Sequence, residues 1–342
     1  MPKVVHIDAL TYSNWHPVFH AGAFRNIRQN LDRFPKRLLD RYADADENLK
    51  AAIVGFGPSL KYSWPYLKHY DVIFTCSGAH DFLLEKGIKP TYHVECDPRE
   101  HKKKLLNNPS TDVEYLMASC VEPQYLDKLP KENVTLWNLY THPDYFIYPS
   151  TEDVIQGAGC VGIQTFWVAY RMGFRDFGVF GMDCSHDNGM THASTHTNPK
   201  RGEDPCLIAI GPRDKDDKEG KWVKTNKIYT TEIGLTLYAL EWKRTMMNQP
   251  DCRFAVLGFG LLPELLAYVS PHGNDQRNLM AVSESQVRKL ESLNDGKELR
   301  EGIQELSEFL NPKEEKGHAE QSPPPDDSVW ESTERGWKRR RP

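Results

Sequence analysis

Residues 51–59 read Ala-Ala-Ile-Val-Gly-Phe-Gly-Pro-Ser, a short apolar run that ends in a glycine turn. Two glycines let the backbone turn sharply and let a ligand approach without a side chain in the way. A helix starting just after such a turn aims free N–H groups at an anion, so Gly55, Gly57, Pro58 and Ser59 are candidates for holding a nucleotide phosphate. The spacing is not the dinucleotide fingerprint, because the third glycine is missing, and no Gly-Lys-Ser/Thr follows as in a Walker A loop. An ordinary strand–turn–helix corner has the same pattern. Gly157-Ala158-Gly159-Cys160-Val161-Gly162 precedes a second helical stretch. It offers a second anion site through Gly157, Gly159 and Cys160, or else a tight loop that lets a helix pack closely.

Asp97 and Asp183 each follow an apolar run. Carboxylates there suit Mg²⁺, a hard cation that prefers oxygen ligands and phosphates. They suit ribose hydroxyls equally well, and a carboxylate can instead cap the next helix. His186, His192 and His196 lie just beyond Asp183. His192 and His196 have a spacing that binds zinc on a helix, but Ala-Ser-Thr between them brings no glutamate and no helical pattern. A general-base role for one imidazole, His186, is the simpler reading; a His-rich surface loop is the plain alternative.

These residues need a scaffold, and the chain supplies strands alternating with helices from residue 51. Strands are expected at 51–54, 72–76, 91–95, 115–118, 134–138, 177–180 and 253–257, and helices at 77–86, 162–172 and 231–247. That alternation predicts an α/β fold, a Rossmann-like, mostly parallel sheet with helices on both faces. After the strands come Gly55 to Ser59, Ser77-Gly78-Ala79-His80, Cys96-Asp97-Pro98, Gly181 to His186 and Gly258-Phe259-Gly260. In an open parallel sheet ligands bind beyond the carboxyl ends of the strands, so Ser77 and Gly78 join the candidate site.

Residues 1–48 are read as an N-terminal helical extension. Phe24, Ile27, Leu31, Phe34, Leu38 and Leu39 share one helical face, and Pro35 divides it. Residues 49–270 are expected to form the Rossmann-like nucleotide-binding domain, 271–312 a C-terminal helical segment and 313–342 a disordered tail. The polar stretch 198–227 reads as a mobile insertion or lid, or as a plain surface loop.

The formal net charge of −5 argues against a broadly basic nucleic-acid surface, leaving the basic C-terminal end as the only such candidate. Seven scattered cysteines without a C-x-x-C pair suggest reduced thiols in the cytoplasm. No apolar leader or membrane span is expected. The oligomeric state is not legible.

Three blocks resemble one known family. Ile53 to Leu60 resembles its GxGPSL opening, and Gly87 to Pro98 its GI-x-PDY…DP segment, with Thr91 where the family has aspartate. Gly159-Cys160-Val161 through Gly173-Phe174 to Val179–Asp183 resembles its third block. This is the MptE-like family, named for the archaeal 6-hydroxymethyl-7,8-dihydropterin pyrophosphokinase. It is related to the Maf flagellin glycosyltransferases and more distantly to bacterial sialyltransferases. The resemblance implies an Mg²⁺-dependent pyrophosphoryl transfer from ATP to a hydroxymethyl, pterin-like acceptor, with Asp97 and Asp183 as metal ligands. Its relatives imply the alternative, transfer of a sugar from a CMP-activated donor with His186 as base. A nucleotide-binding protein without catalysis is the third expectation.

Overall fold

The computed structural model describes residues 4–6, 21–41, 48–139, 148, 152–194, 206–210, 227–268, 279–281, 329–333 and 336–340. The first elements are Val4–His6 (β1), Ala21–Arg33 (α1), Lys50–Val54 (β2), Leu60–Ser63 (α2), Val72–Cys76 (β3), Ala79–Glu85 (α3) and Tyr92–Glu95 (β4). Then come Glu114–Ala118 (β5), Pro123–Leu126 (α4), Val134–Leu139 (β6), Val154–Ile155 (β7), Val161–Arg171 (α5) and Asp176–Phe180 (β8). Cys206–Ile210 (β9), Lys227–Thr231 (β10), Ile233–Met247 (α6), Arg253–Leu257 (β11), Leu261–Tyr268 (α7) and Leu279–Ala281 (β12) follow.

The main sheet has nine strands in the order β12-β11-β8-β2-β3-β4-β5-β6-β7, and every pairing in it is parallel. From β2 the chain runs outward through β3 to β7, then returns to lay β8 on the other side of β2. The order therefore reverses between β2 and β8, and their carboxyl ends open a crevice at that switch. Strands β2, β3, β5 and β8 are buried over their last four residues, which is why they read as continuous apolar runs. Phe166 of α5 lies 5.1 Å from Phe177, 5.4 Å from Phe254 and 6.3 Å from Trp242, so α5 and α6 share one aromatic core with β8 and β11.

The N-terminal helix stops at Arg33, ahead of Pro35, as its proline predicts. It is tied to the loop after β5 by buried amides. Asn26 Nδ2 donates to the Cys120 carbonyl at 3.1 Å, and Asn30 Nδ2 to the Ser119 and Val121 carbonyls at 3.0 and 2.7 Å. Leu39, expected on the apolar face, is exposed, because the chain leaves the helix before reaching it.

Several strands escape the sequence pattern, β9 although its five residues Cys206–Ile210 are all apolar, because polar sequence flanks it on both sides. Strand β9, inside the stretch read as a lid, pairs in parallel with β1 and antiparallel with β10 in a three-stranded sheet. Residues 211–226 of that stretch, and His196, lie outside the described residues. Leu279–Ala281, in the segment expected to be helical, is instead the edge strand β12; Ser283 to Leu310 lies outside the described residues. Residues 305–342 form a separate unit. Where no order was expected, Val329–Thr333 (β13) and Gly336–Arg340 (β14) pair antiparallel. Val329 and Thr333 are β-branched and Trp330 is aromatic, types that suit a strand.

Candidate functional site

A cavity of about 450 Å³ opens at the switch between β2 and β8. Gly55, Gly57, Pro58, Ser77, Asp97, Gly159, Cys160 and Asp183 line it, so the residues named from strand ends do converge. Ser59, Gly78, Gly157 and His186 are not in its wall. Ser77 and Cys184, at the ends of β3 and β8, hold left-handed φ of 54° each. Such strain in residues other than glycine collects at functional sites.

The glycine turns do a different job from the one their pattern suggests. Gly55 N–H donates to the Phe180 carbonyl at 2.8 Å and Gly57 N–H to the Gly181 carbonyl at 2.7 Å. A Cβ on Gly57 would lie 2.6 Å from the Gly181 oxygen and 2.8 Å from Asp183 Oδ2. A Cβ on Gly78 would meet the Phe56 ring at 2.7 Å. The glycines allow the two loops at the switch to touch backbone to backbone. The Gly55 and Gly57 N–H groups are engaged in these contacts.

Asp183 occupies the place a phosphate was expected to take. Its Oδ2 accepts the Ser59 N–H at 2.6 Å, and its Oδ1 accepts the Ser59 hydroxyl. It is 2% exposed. Burial raises its carboxyl to about 7, against the two Ser59 hydrogen bonds and Lys61, which favour ionisation, and with Asp187 adding to the rise. The second glycine-rich helix start is filled in the same way. Glu241 Oε1 and Oε2, from α6, accept the Gly159 N–H at 3.0 and 2.9 Å. Both sequence-predicted anion cradles thus hold carboxylates of the chain itself.

Positive charge in the cavity comes instead from Arg99 and Lys102, which follow Asp97 on the loop after β4. Arg99 Nε contacts Asp97 Oδ1 and Oδ2 at 2.8 and 3.0 Å, its Nη2 also bonds Oδ2, and Lys102 Nζ lies 3.4 Å from Oδ2. Burial opposes ionisation of Asp97, but Arg99 and Lys102 hold it at about 2. Beneath them Glu95 is fully buried and burial raises its carboxyl. Its Oε1 accepts the Cys96 and Asp97 N–H groups at 2.8 and 3.0 Å, which fixes the loop that carries the cations.

The oxygens of Asp97 are on Arg99 and Lys102, and those of Asp183 are on Ser59. Among the described residues no cluster of three or more His, Cys, Asp or Glu is arranged to hold a metal. The residues as placed do not fit the expected Mg²⁺ site, because neither carboxylate offers unengaged oxygens.

His186 points away from the cavity. Its backbone N–H donates to the Thr230 carbonyl at 2.8 Å, and its ring Nε2 lies 3.5 Å from Glu232 Oε1. The left-handed turn at Cys184 and the Thr231 hydroxyl bonded to the Cys184 carbonyl at 2.7 Å draw this segment toward β10. His192 lines the cavity instead, its ring 5.6 Å from Phe56 and its Nδ1 2.8 Å from Thr191 Oγ1. Sequence reasoning missed Arg99, directly after the Asp97-Pro98 pair, and Lys102 three residues further on. It also missed Tyr238 and Trp242 of α6, which close the far wall.

No curated protein matches the chain in sequence. Among solved structures, the Maf glycosyltransferase from Magnetospirillum magneticum AMB-1 is similar, with a TM-score of 0.54 at 16% identity. The match covers 86% of this chain and 44% of that one, so the chain spans less than half of that protein. At this identity the likeness shows the fold alone. A mammalian sialyltransferase in complex with Gal-beta-1-3GalNAc-ortho-nitrophenol gives a TM-score of 0.35 at 12% identity over 74% of this chain and 83% of that one. Residues 22–189 match the family model described as 6-hydroxymethylpterin diphosphokinase MptE-like. That segment holds nearly all of α1, both sides of the topological switch and the loop with Arg99 and Lys102, and over it the chain is similar to the MptE-like family.

Proposed function

We propose that the protein is a nucleotide-dependent transferase whose donor phosphates bind Arg99 and Lys102. One observation carries this: both cations line the cavity at the topological switch, where open parallel sheets bind ligands. Charge-assisted hydrogen bonds of this kind contribute about 1.5–3 kcal/mol each.

The first reading takes the activity named for the family model. Pyrophosphoryl transfer from ATP has an acceptor hydroxyl oxygen attack the β-phosphorus, while the bond to the AMP oxygen breaks and the acceptor proton leaves to a base. His192 is the imidazole in the cavity wall and the candidate for that proton. Such chemistry is largely positioning and charge neutralisation, which Arg99 and Lys102 supply.

A second reading has an observation of its own. Asp97 and Asp183 leave no unengaged oxygens for Mg²⁺, and a CMP-activated sugar needs less charge neutralised than a triphosphate. There the acceptor hydroxyl attacks the anomeric carbon, CMP leaves with the bonding electrons, and His192 again takes the proton. A thermal-shift comparison of ATP and CMP-sugars, each with and without Mg²⁺, separates the two. A ligand at a hundred times its Kd stabilises the folded state by about 2.7 kcal/mol. A shift with ATP and Mg²⁺ supports the first reading, and a metal-independent shift with a CMP-sugar supports the second. No shift with either class rejects the donor site.

A further inference from the structure

Helix α6 places Leu235, Tyr238 and Trp242 along one wall of the switch-point cavity. Their i, i+3, i+7 spacing puts them on a single helical face. That face is set before any ligand arrives. Glu241 accepts the Gly159 N–H with its two oxygens at 3.0 and 2.9 Å, and the Trp242 ring packs 6.3 Å from Phe166 in the core. A wall fixed in this way limits the ordering cost of binding. The three side chains are not equivalent. Trp242 is fully buried and Leu235 carries no ring, whereas Tyr238 is half-buried, so part of it stays open. Elsewhere in the wall, Phe56 is 6% exposed, with Gly78, Phe82 and His192 against its ring. Tyr238 also lies close enough to Arg99 for the two to interact electrostatically. A ligand with a phosphate on Arg99 therefore meets the Tyr238 ring in the same cavity.

We infer that Tyr238 is a specificity-determining residue of this site, and that its ring stacks on the planar heteroaromatic ring of the bound ligand. The inference rests on the proposed transferase reading of the cavity. The stacked ring belongs either to the base of the donor nucleotide or to the acceptor. The recognition chemistry is the same in both cases, because each offers a flat π face to an aromatic side chain. Stacking depends on the ring of Tyr238 and not on its hydroxyl. Tyr238→Phe therefore preserves it, and Tyr238→Leu, which keeps apolar bulk on α6, removes it.

Isothermal calorimetry on the full chain tests this with ATP against tripolyphosphate, CMP against ribose 5-phosphate, and 6-hydroxymethylpterin. The first member of each pair carries a ring that the second lacks. The expected result is that a ring-bearing probe binds the wild type and is weakened roughly 5- to 100-fold in Tyr238→Leu. Tyr238→Phe should bind it as the wild type does, and the ring-less probes should ignore both substitutions. A response of ATP or CMP assigns the stacked ring to the donor base, and a response of the pterin assigns it to the acceptor. A thermal melt checks that each variant is folded, and Tyr238→Met replaces the leucine variant if that one is not. The inference is overturned if no ring-bearing probe binds, or if Tyr238→Leu binds each of them as the wild type does. It is also overturned if the ring-less probes weaken equally, which would mean that Tyr238 acts through Arg99, or if Tyr238→Phe loses as much as Tyr238→Leu. Ring-less probes that bind as tightly as their ring-bearing partners, with no binding of the pterin, overturn it while leaving the donor reading in place. Failure of ATP, CMP and both ring-less probes rejects the donor reading, and Tyr238 is then judged by the pterin alone.

Discussion

Asp97 and Asp183 show how two carboxylates at equivalent strand ends acquire opposite properties. Both are withdrawn from water, but Asp97 sits against two cations and is held at about 2, whereas for Asp183 deep burial outweighs the Ser59 hydrogen bonds and the weaker pull of Lys61, and it rises to about 7. For Asp183 the native state holds its proton more tightly than the unfolded chain, whose value is 3.8. Stability from this group is therefore full below the unfolded value and falls as pH rises through the native one, by on the order of 4 kcal/mol. Asp183→Asn keeps an acceptor for the Ser59 N–H but cannot ionise. Its melting temperature should decline less than the wild type's between pH 4 and 7; equal slopes by calorimetry would show that another group titrates. Arg99→Ala and Lys102→Ala should each weaken nucleotide binding by roughly 10- to 100-fold, read by isothermal calorimetry. Unchanged affinity in both would remove the cations from the site.

At the scale of elements, the turn after β2 and the turn after β8 are one structural unit. Gly57 was legible as a residue that had to lack a side chain, but the neighbour that requires this is Gly181 and not a phosphate. No spacing rule reports that contact, because the two turns are far apart in sequence. Gly57→Val should consequently destabilise the fold, by about 1–3 kcal/mol or more from overpacking, before any effect on ligand is seen. A variant as stable as wild type in urea would contradict the backbone contact. The amphipathic pattern of α1 was legible too, yet its two buried asparagines read as polar interruptions. Their partners are main-chain carbonyls beyond β5, invisible until the sheet is assembled. Asn30→Ala leaves the Ser119 and Val121 carbonyls buried without that donor and should cost about 1–3 kcal/mol in denaturant unfolding. A loss within error of zero would mean that water replaces the amide.

Across the whole molecule, a net charge of −5 coexists with a cavity whose cations come from a single loop. Nucleotide affinity should therefore fall as salt rises from low to physiological ionic strength, where the Debye length shortens to about 8 Å. Affinity independent of salt would point to recognition by uncharged groups. No helix among the described residues is long and apolar enough to cross a membrane. The sequence by itself determined the α/β class, the strands from β2 to β6 with β8 and β11, and the edge of the sheet where the cavity opens. These follow from local periodicity and from what each strand runs into. Tertiary structure alone decided which groups face the cavity. It closed both glycine-rich cradles with Asp183 and Glu241, turned His186 toward Glu232, and brought Arg99, Lys102 and His192 to the cavity. The physical reason is that a hydrogen-bonding group has the same local signature whether its partner is a ligand or another part of the chain, and only the assembled fold supplies the partner.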